Sequence, residues 1–189
     1  MFQVSTLVRA LALAGAVSLA GTAQANIVAN GGFETGSFAG WTQFNPGAFV
    51  GVTNDPLYVQ SGSQGAFFGS PGAGSGIFQT LATTVGASYQ VSFWLRNLSS
   101  NPISSMAFNW DGGANELSLV NSAAFGYTNF TYLLTATSAA TDLRFSFRHD
   151  LFFWAFDTVS VVQVPEPGSL ALVGLALVGL TLSARRKQA

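Results

Sequence analysis

Few residues in this 189-residue chain are equipped for chemistry. It has no cysteine, which removes thiolate nucleophiles and zinc–thiolate sites. His149 is the sole histidine, and Asp150 follows it directly. Neighbouring side chains diverge, so the two do not make an acid–base pair, and His149 is expected in a turn after the strand ending at Arg148. No Gly-x-Ser-x-Gly elbow is present. Between residues 26 and 163 the acids are Glu34, Asp55, Asp111, Glu116, Asp142, Asp150 and Asp157. A glycosidase needs two carboxylates at a set separation, and no spacing here pairs any two of them. The inventory reads as a binding or structural protein rather than an enzyme.

Binding chemistry is better represented. Trp94 and Arg96 share strand parity with Gln90 and Ser92, opposite the apolar Tyr89, Val91, Phe93 and Leu95. Arg144 and Arg148 alternate in the same way with Leu143, Phe145 and Phe147. An outward indole can stack on the apolar face of a sugar while arginine reaches its hydroxyls. The plainer alternative is a Trp94 covered by a loop and arginines that are merely solvated.

The elements that must hold these residues are strands. Met106, Phe108 and Trp110 alternate with polar or small neighbours, as do Phe130, Tyr132 and Leu134. Ile77, Gln79 and Leu81 make another run, and Val159 with Val161 the last. Turn signals separate them at Asn45-Pro46-Gly47, Pro71-Gly72, Asn101-Pro102 and Asp111-Gly112-Gly113. No helix pattern occurs within 26–163, so an all-β, two-sheet sandwich is expected. That stretch holds three arginines and no lysine against seven acids, which excludes a nucleic-acid footprint. Its solvent face must be built from Asn, Ser, Thr, Gln and Gly, a surface suited to sugars or matrix polymers.

Both ends differ from this middle. Residues 1–25 carry one cation, Arg9, an apolar stretch from Ala10 to Ala20, and Ala23-Gln24-Ala25 before Asn26, the form of a secretory signal peptide. At the other end Val164-Pro165-Glu166-Pro167 precedes an uncharged run from Leu170 to Leu182, then Arg185, Arg186 and Lys187. A helix over residues 169–183 is about 22 Å long at about 1.5 Å per residue, short of a hydrocarbon core of about 30 Å. It shows no solvent stripe, and its basic flank reads as the cytoplasmic end of a transmembrane helix rather than of a buried core helix. The order Pro165-Glu166-Pro167, short apolar helix and Arg185-Arg186 resembles the PEP-CTERM sorting signal of Gram-negative bacteria. The resemblance implies a membrane-embedded exosortase as partner, cleavage near Pro165-Glu166-Pro167, transient membrane insertion, and delivery of residues 26–163 to the envelope or extracellular matrix. A tail of this form also goes by the name ice-binding protein C-terminal domain. Ice binding calls for a repeating threonine array, and Thr135-Ala136-Thr137 occurs once.

The middle segment carries its own resemblance. Asn26-Ile27-Val28-Ala29-Asn30-Gly31-Gly32-Phe33-Glu34 with Gly40-Trp41 opens it, and Phe152 to Val161 closes it. This pair is similar to the galactose-binding-like β-jelly-roll domains, which include carbohydrate-binding modules. The resemblance implies packed roles for Trp41 and Trp154. It also implies one structural calcium, with Glu34 and Asp157 as side-chain ligands and Gly32 and Ser63 as carbonyl ligands. A hard cation of this kind takes about 6–8 oxygens. The family often has two adjacent acids late in the chain, whereas Thr158 follows Asp157 here. The alternative is that both acids are hydrogen-bonded turn residues. Together the segments imply a signal peptide over 1–25, a jelly roll over 26–163 and a sorting signal over 164–189. The function implied is binding of polysaccharide without catalysis. The alternatives are an adhesive matrix protein with no small ligand and, third, a glycan-active enzyme.

Overall fold

A computed structural model describes residues 24–165. Ten strands follow in order: β1 (Thr42–Phe44), β2 (Val50–Thr53), β3 (Gly65–Phe68), β4 (Ser75–Ala82), β5 (Ser88–Asn97), β6 (Ser104–Trp110), β7 (Asn115–Val120), β8 (Phe125–Thr135), β9 (Ala140–His149) and β10 (Trp154–Val164). They form two five-stranded sheets, β1-β4-β9-β6-β7 and β2-β3-β10-β5-β8. Every pairing is antiparallel, and apart from the β2–β3 and β6–β7 hairpins successive strands cross between the sheets to give the jelly-roll sandwich.

Alternation builds the core. Along β5 and β9 every second side chain is buried, and the residues between face out. Phe93 sits near the centre, 5.1 Å from Phe145, 5.3 Å from Phe108 and 5.6 Å from Phe156, ring centre to ring centre. Phe68 of one sheet stacks on Phe147 of the other at 4.0 Å. These contacts fix which faces are inner and which are outer. Trp41 and Trp154 are buried, as expected for packed indoles.

The opening segment is tied to the last strand. Ile27 donates its N–H to the Val161 carbonyl, and Asn26 Oδ1 accepts the Val161 N–H at 2.8 Å. His149 departs from expectation: it is the last residue of β9, fully buried, rather than part of the following turn. Its neighbours Phe152 and Trp154 supply enough apolar cover to bury the ring.

Among the described residues no helix is long and apolar enough to cross a membrane. Residues 1–23, Glu166, Pro167, the expected helix over 169–183, Arg185 and Arg186 lie outside the described residues. Pro165 is described and exposed.

Candidate functional site

The strand register places one arginine at the centre of an aromatic cluster. On the outer face of β1-β4-β9-β6-β7, Arg144 pairs across to Phe78 on one side and Asn109 on the other. Its guanidinium lies 3.8 Å above the Phe44 ring and 5.7 Å from that of Phe78. Among the described residues no carboxylate pairs with it, so its N–H donors are available. A desolvated cation on a ring face is held in orientation by the ring quadrupole.

Beside this row runs a line of small side chains. Gly76, Ser146, Ala107 and Ser118 are successive cross-strand neighbours, and Phe44 closes the line at β1. Gly76 is required here, because a Cβ at that position falls 2.0 Å from the Phe145 carbonyl oxygen and 2.4 Å from the Phe44 ring. The small row is bounded by Phe78, Arg144 and Asn109 on one side and by Arg148 and Ser105 on the other. The Phe44 ring covers Gly76, so what stays open is a shallow trough across β9, β6 and β7, roughly 10 Å wide at about 4.8 Å per strand spacing. Arg148 is less available than Arg144, since its Nε and Nη2 donate to the two Asp150 carboxylate oxygens at 2.8 and 3.0 Å. That pair holds the Asp150 carboxyl below the usual carboxylate range.

Trp94 and Arg96 face outward as predicted, but from the other sheet. They lie on the opposite outer surface from Arg144 and Arg148, so these four residues do not line one site. Loop 54–64 reaches this surface: Arg96 donates to the Leu57 carbonyl, and the Tyr127 hydroxyl donates to the Tyr58 carbonyl at 2.6 Å. Trp94 is half-buried beside Asp157 and Asn129 in the register. Phe44 and Phe78 were not singled out from sequence. The signal was present for Phe78, because the inward run Ile77, Gln79, Leu81 forces it outward with Thr80. Phe44 sits on a three-residue strand too short to show a period.

The two carboxylates expected to bind calcium meet the same loop. Glu34 accepts the N–H groups of Ser63 and Gln64, with its carboxylate directly over Gly62, whose φ of +71° a larger residue would strain. Asp157 is fully buried and accepts the N–H groups of Gln60 at 2.8 Å, Ser61 at 3.1 Å and Thr158 at 2.6 Å. A bulge between Asp157 and Ser160 turns this carboxylate toward the loop, with Thr158 held at a φ of +51°. Positive φ is strained for a β-branched residue, and the Thr158 hydroxyl is held by Ser61 and Gln60. Burial pushes the Asp157 carboxyl up, and the three amides pull it partly back. Gly32 stands next to Gly31, whose carbonyl accepts the Val159 N–H.

Two carboxylates without an ion-pair partner among the described residues suit a hard cation in kind, although the backbone groups that reach them are amide N–H donors. The amide contacts supply a second, cation-free way of closing the same loop. No group of three or more His, Cys, Asp or Glu among the described residues forms a metal cluster.

His149 has no free lone pair for base chemistry. Its Nδ1 accepts the Phe152 N–H at 3.0 Å, which leaves Nε2 to face the Ser99 carbonyl at 3.4 Å. Burial lowers its pKa, keeping the ring neutral.

No curated protein matches the sequence. The family described as the PEP-CTERM protein-sorting motif matches residues 163–187. Among solved structures, TmCBM61 in complex with β-1,4-galactotriose has a TM-score of 0.62 at 18% identity, covering 74% of this chain and 99% of that one. The CBM22-1 xylan-binding domain of Paenibacillus barcinonensis Xyn10C has a TM-score of 0.55 at 16% identity, covering 77% and 98%. The K3 adhesin domain of Lys-gingipain from Porphyromonas gingivalis has a TM-score of 0.52 at 15% identity, covering 71% and 98%. Likeness at this identity establishes the fold. The chain therefore carries a PEP-CTERM protein-sorting motif behind a two-sheet jelly-roll body whose fold is that of carbohydrate-binding modules.

Proposed function

We propose that this is an exported, exosortase-processed protein of the Gram-negative cell envelope or matrix that binds polysaccharide without acting on it. The polymer lies along the trough on the outer face of β1-β4-β9-β6-β7. The observation that carries this is Arg144, lying unpaired across Phe44 beside a floor of small side chains. A guanidinium held flat over an aromatic ring offers a pyranose a planar surface and charged donors together. The small floor admits a chain of rings and makes no enclosed pocket, which favours a polymer over a monosaccharide.

The neighbours support the reading through their printed ligands, galactotriose for one and xylan for another. The sorting motif supports export and envelope delivery, with Pro165-Glu166-Pro167 as the processing site. Calcium belongs to the same proposal as a structural ion held by Glu34, Asp157 and the carbonyls of Gly32 and Ser63. It would fasten the opening segment and β10 to loop 60–64, on the side away from the trough.

Pull-down of the exported protein on exopolysaccharide and a glycan array tests the proposal. Saturable binding that Arg144→Ala removes and Trp94→Ala leaves intact is expected. Absence of binding to any polysaccharide would overturn it in favour of an adhesive matrix role.

A further inference from the structure

The sandwich has four sheet edges, and they are not alike. β1, β2 and β7 end their sheets with three, four and six residues. β8 ends its sheet with eleven, Phe125–Thr135, roughly 37 Å at about 3.4 Å per residue. Its inner side is laddered to β5, and among the described residues no strand pairs with its outer side. Exposed edges are ordinarily protected by charge, proline or short length. β8 has no charged residue and no proline.

A second feature lies on the same side of the molecule. Tyr132 of β8 sits 5.3 Å from Phe108 of β6, which places β8 over β6 and next to β7. Phe130, Tyr132 and Leu134 of β8 and Leu117 and Leu119 of β7 pack on the core yet stay only partly buried. Leu133, on the outer face of β8, is 68% exposed. Unused backbone donors and acceptors thus run beside an apolar stripe drawn from both sheets.

We infer that the β8 edge is a self-association surface, and that its occupant is β8 of a second copy paired antiparallel about Thr131, near the strand's centre. The sequence that follows β10 makes a poor pairing strand. Val164 is separated from β8 by β5, and the next residues, Pro165-Glu166-Pro167, include two that lack a backbone donor. Charge favours a second copy as well. Residues 26–163 hold seven acids against three arginines, so two copies repel over most of their surface and meet most readily where both are neutral. The charges around β8 are mixed in sign: Glu116 is felt at the Tyr132 hydroxyl, and Asp157 and Arg96 at that of Tyr127.

The pairing is isologous and closes as a two-fold dimer, joining two five-stranded sheets into one of ten. It leaves the trough free in both copies, giving two polysaccharide sites in one particle. β10 runs parallel to β8, since both are antiparallel to β5. In the dimer the two Val164 ends therefore point in opposite directions.

The chain has no cysteine, which makes single-cysteine cross-linking clean. In the exported, processed protein, Thr131→Cys should give a disulfide-linked dimer under mild oxidation. Ser118→Cys on the short β7 edge should give no disulfide-linked dimer. Light scattering over a concentration series should show twice the chain mass for the wild type. Thr131→Lys should weaken association at least tenfold, with a melting temperature equal to the wild type's once both are diluted to monomers, because residue 131 is exposed. A wild type that is monomeric at every concentration, a dimer indifferent to Thr131→Lys, or preferential cross-linking through residue 118 would each overturn the inference. None of these readouts involves sugar binding.

Discussion

Asp157 offers the sharpest physical test of how the sandwich is closed. Its carboxylate is fully buried and accepts three backbone N–H groups, at 2.6, 2.8 and 3.1 Å. Hydrogen bonds to a charged group contribute roughly 1.5–3 kcal/mol each, partly offset by the cost of burying the charge. Replacing Asp157 with alanine leaves three amides without their acceptor, so a loss of about 3–5 kcal/mol is expected. For a domain of this size that lowers the melting temperature by roughly 10–20 °C. Thermal melting followed by circular dichroism is the assay, run with calcium and with chelator. The pH dependence then separates the two ways of closing the loop. Without a cation, burial raises the Asp157 carboxyl, so the folded chain takes up that proton at a higher pH than the unfolded chain. The stability assignable to Asp157, wild type minus Asp157→Asn, then increases as pH falls through the folded value. A bound calcium ion inverts the sign, because it holds the carboxyl low and protonation must displace it. An Asp157→Ala protein melting within about 2 °C of the wild type would refute the reasoning, since that is under 1 kcal/mol at this size. An unchanged midpoint with chelator removes calcium and leaves the amide contacts standing.

Other expectations follow from the same geometry. Arg144→Ala removes charge-assisted donors of roughly 1.5–3 kcal/mol, so titration calorimetry should show polysaccharide affinity falling about 10- to 150-fold, with stability changed by no more than about 1 kcal/mol. Gly76→Val drives a side chain into the Phe145 carbonyl and the Phe44 ring, and should cost about 1–3 kcal/mol in denaturant melts and weaken binding. The folded pKa of His149 is depressed, so the unfolded chain takes up the proton first as pH falls. Its stabilising contribution should decline below about pH 6.5, and His149→Phe should flatten that part of the pH–stability curve. Deleting residues 164–189 should abolish envelope retention in cell fractionation, since these residues carry the sorting motif.

Much of the fold was legible because long strands bury one face and wet the other. β5, β6, β8 and β9 each run seven residues or more, long enough for period two to stand out. β1, β2 and β3 have three or four residues, too few to display a period, and they surfaced only in space. Parity put Trp94, Arg96, Arg144 and Arg148 outward correctly, yet parity says nothing about which sheet a strand joins. The two pairs proved to be on opposite faces for that reason. Phe44 was invisible as a partner of Arg144 because their contact depends on β1 and β9 flanking β4. The environment of Asp157 rests on a bulge and a left-handed Thr158, features of backbone geometry that residue types alone do not specify.

The account rests on polysaccharide occupying the trough beside Arg144. The most direct measurement is backbone and side-chain NMR of the exported protein titrated with oligosaccharides cut from its own exopolysaccharide. Shift changes concentrated at Phe44, Phe78, Arg144 and Ser146 are predicted. Changes confined to the face bearing Trp94 and Arg96, or none at saturating sugar, would contradict it.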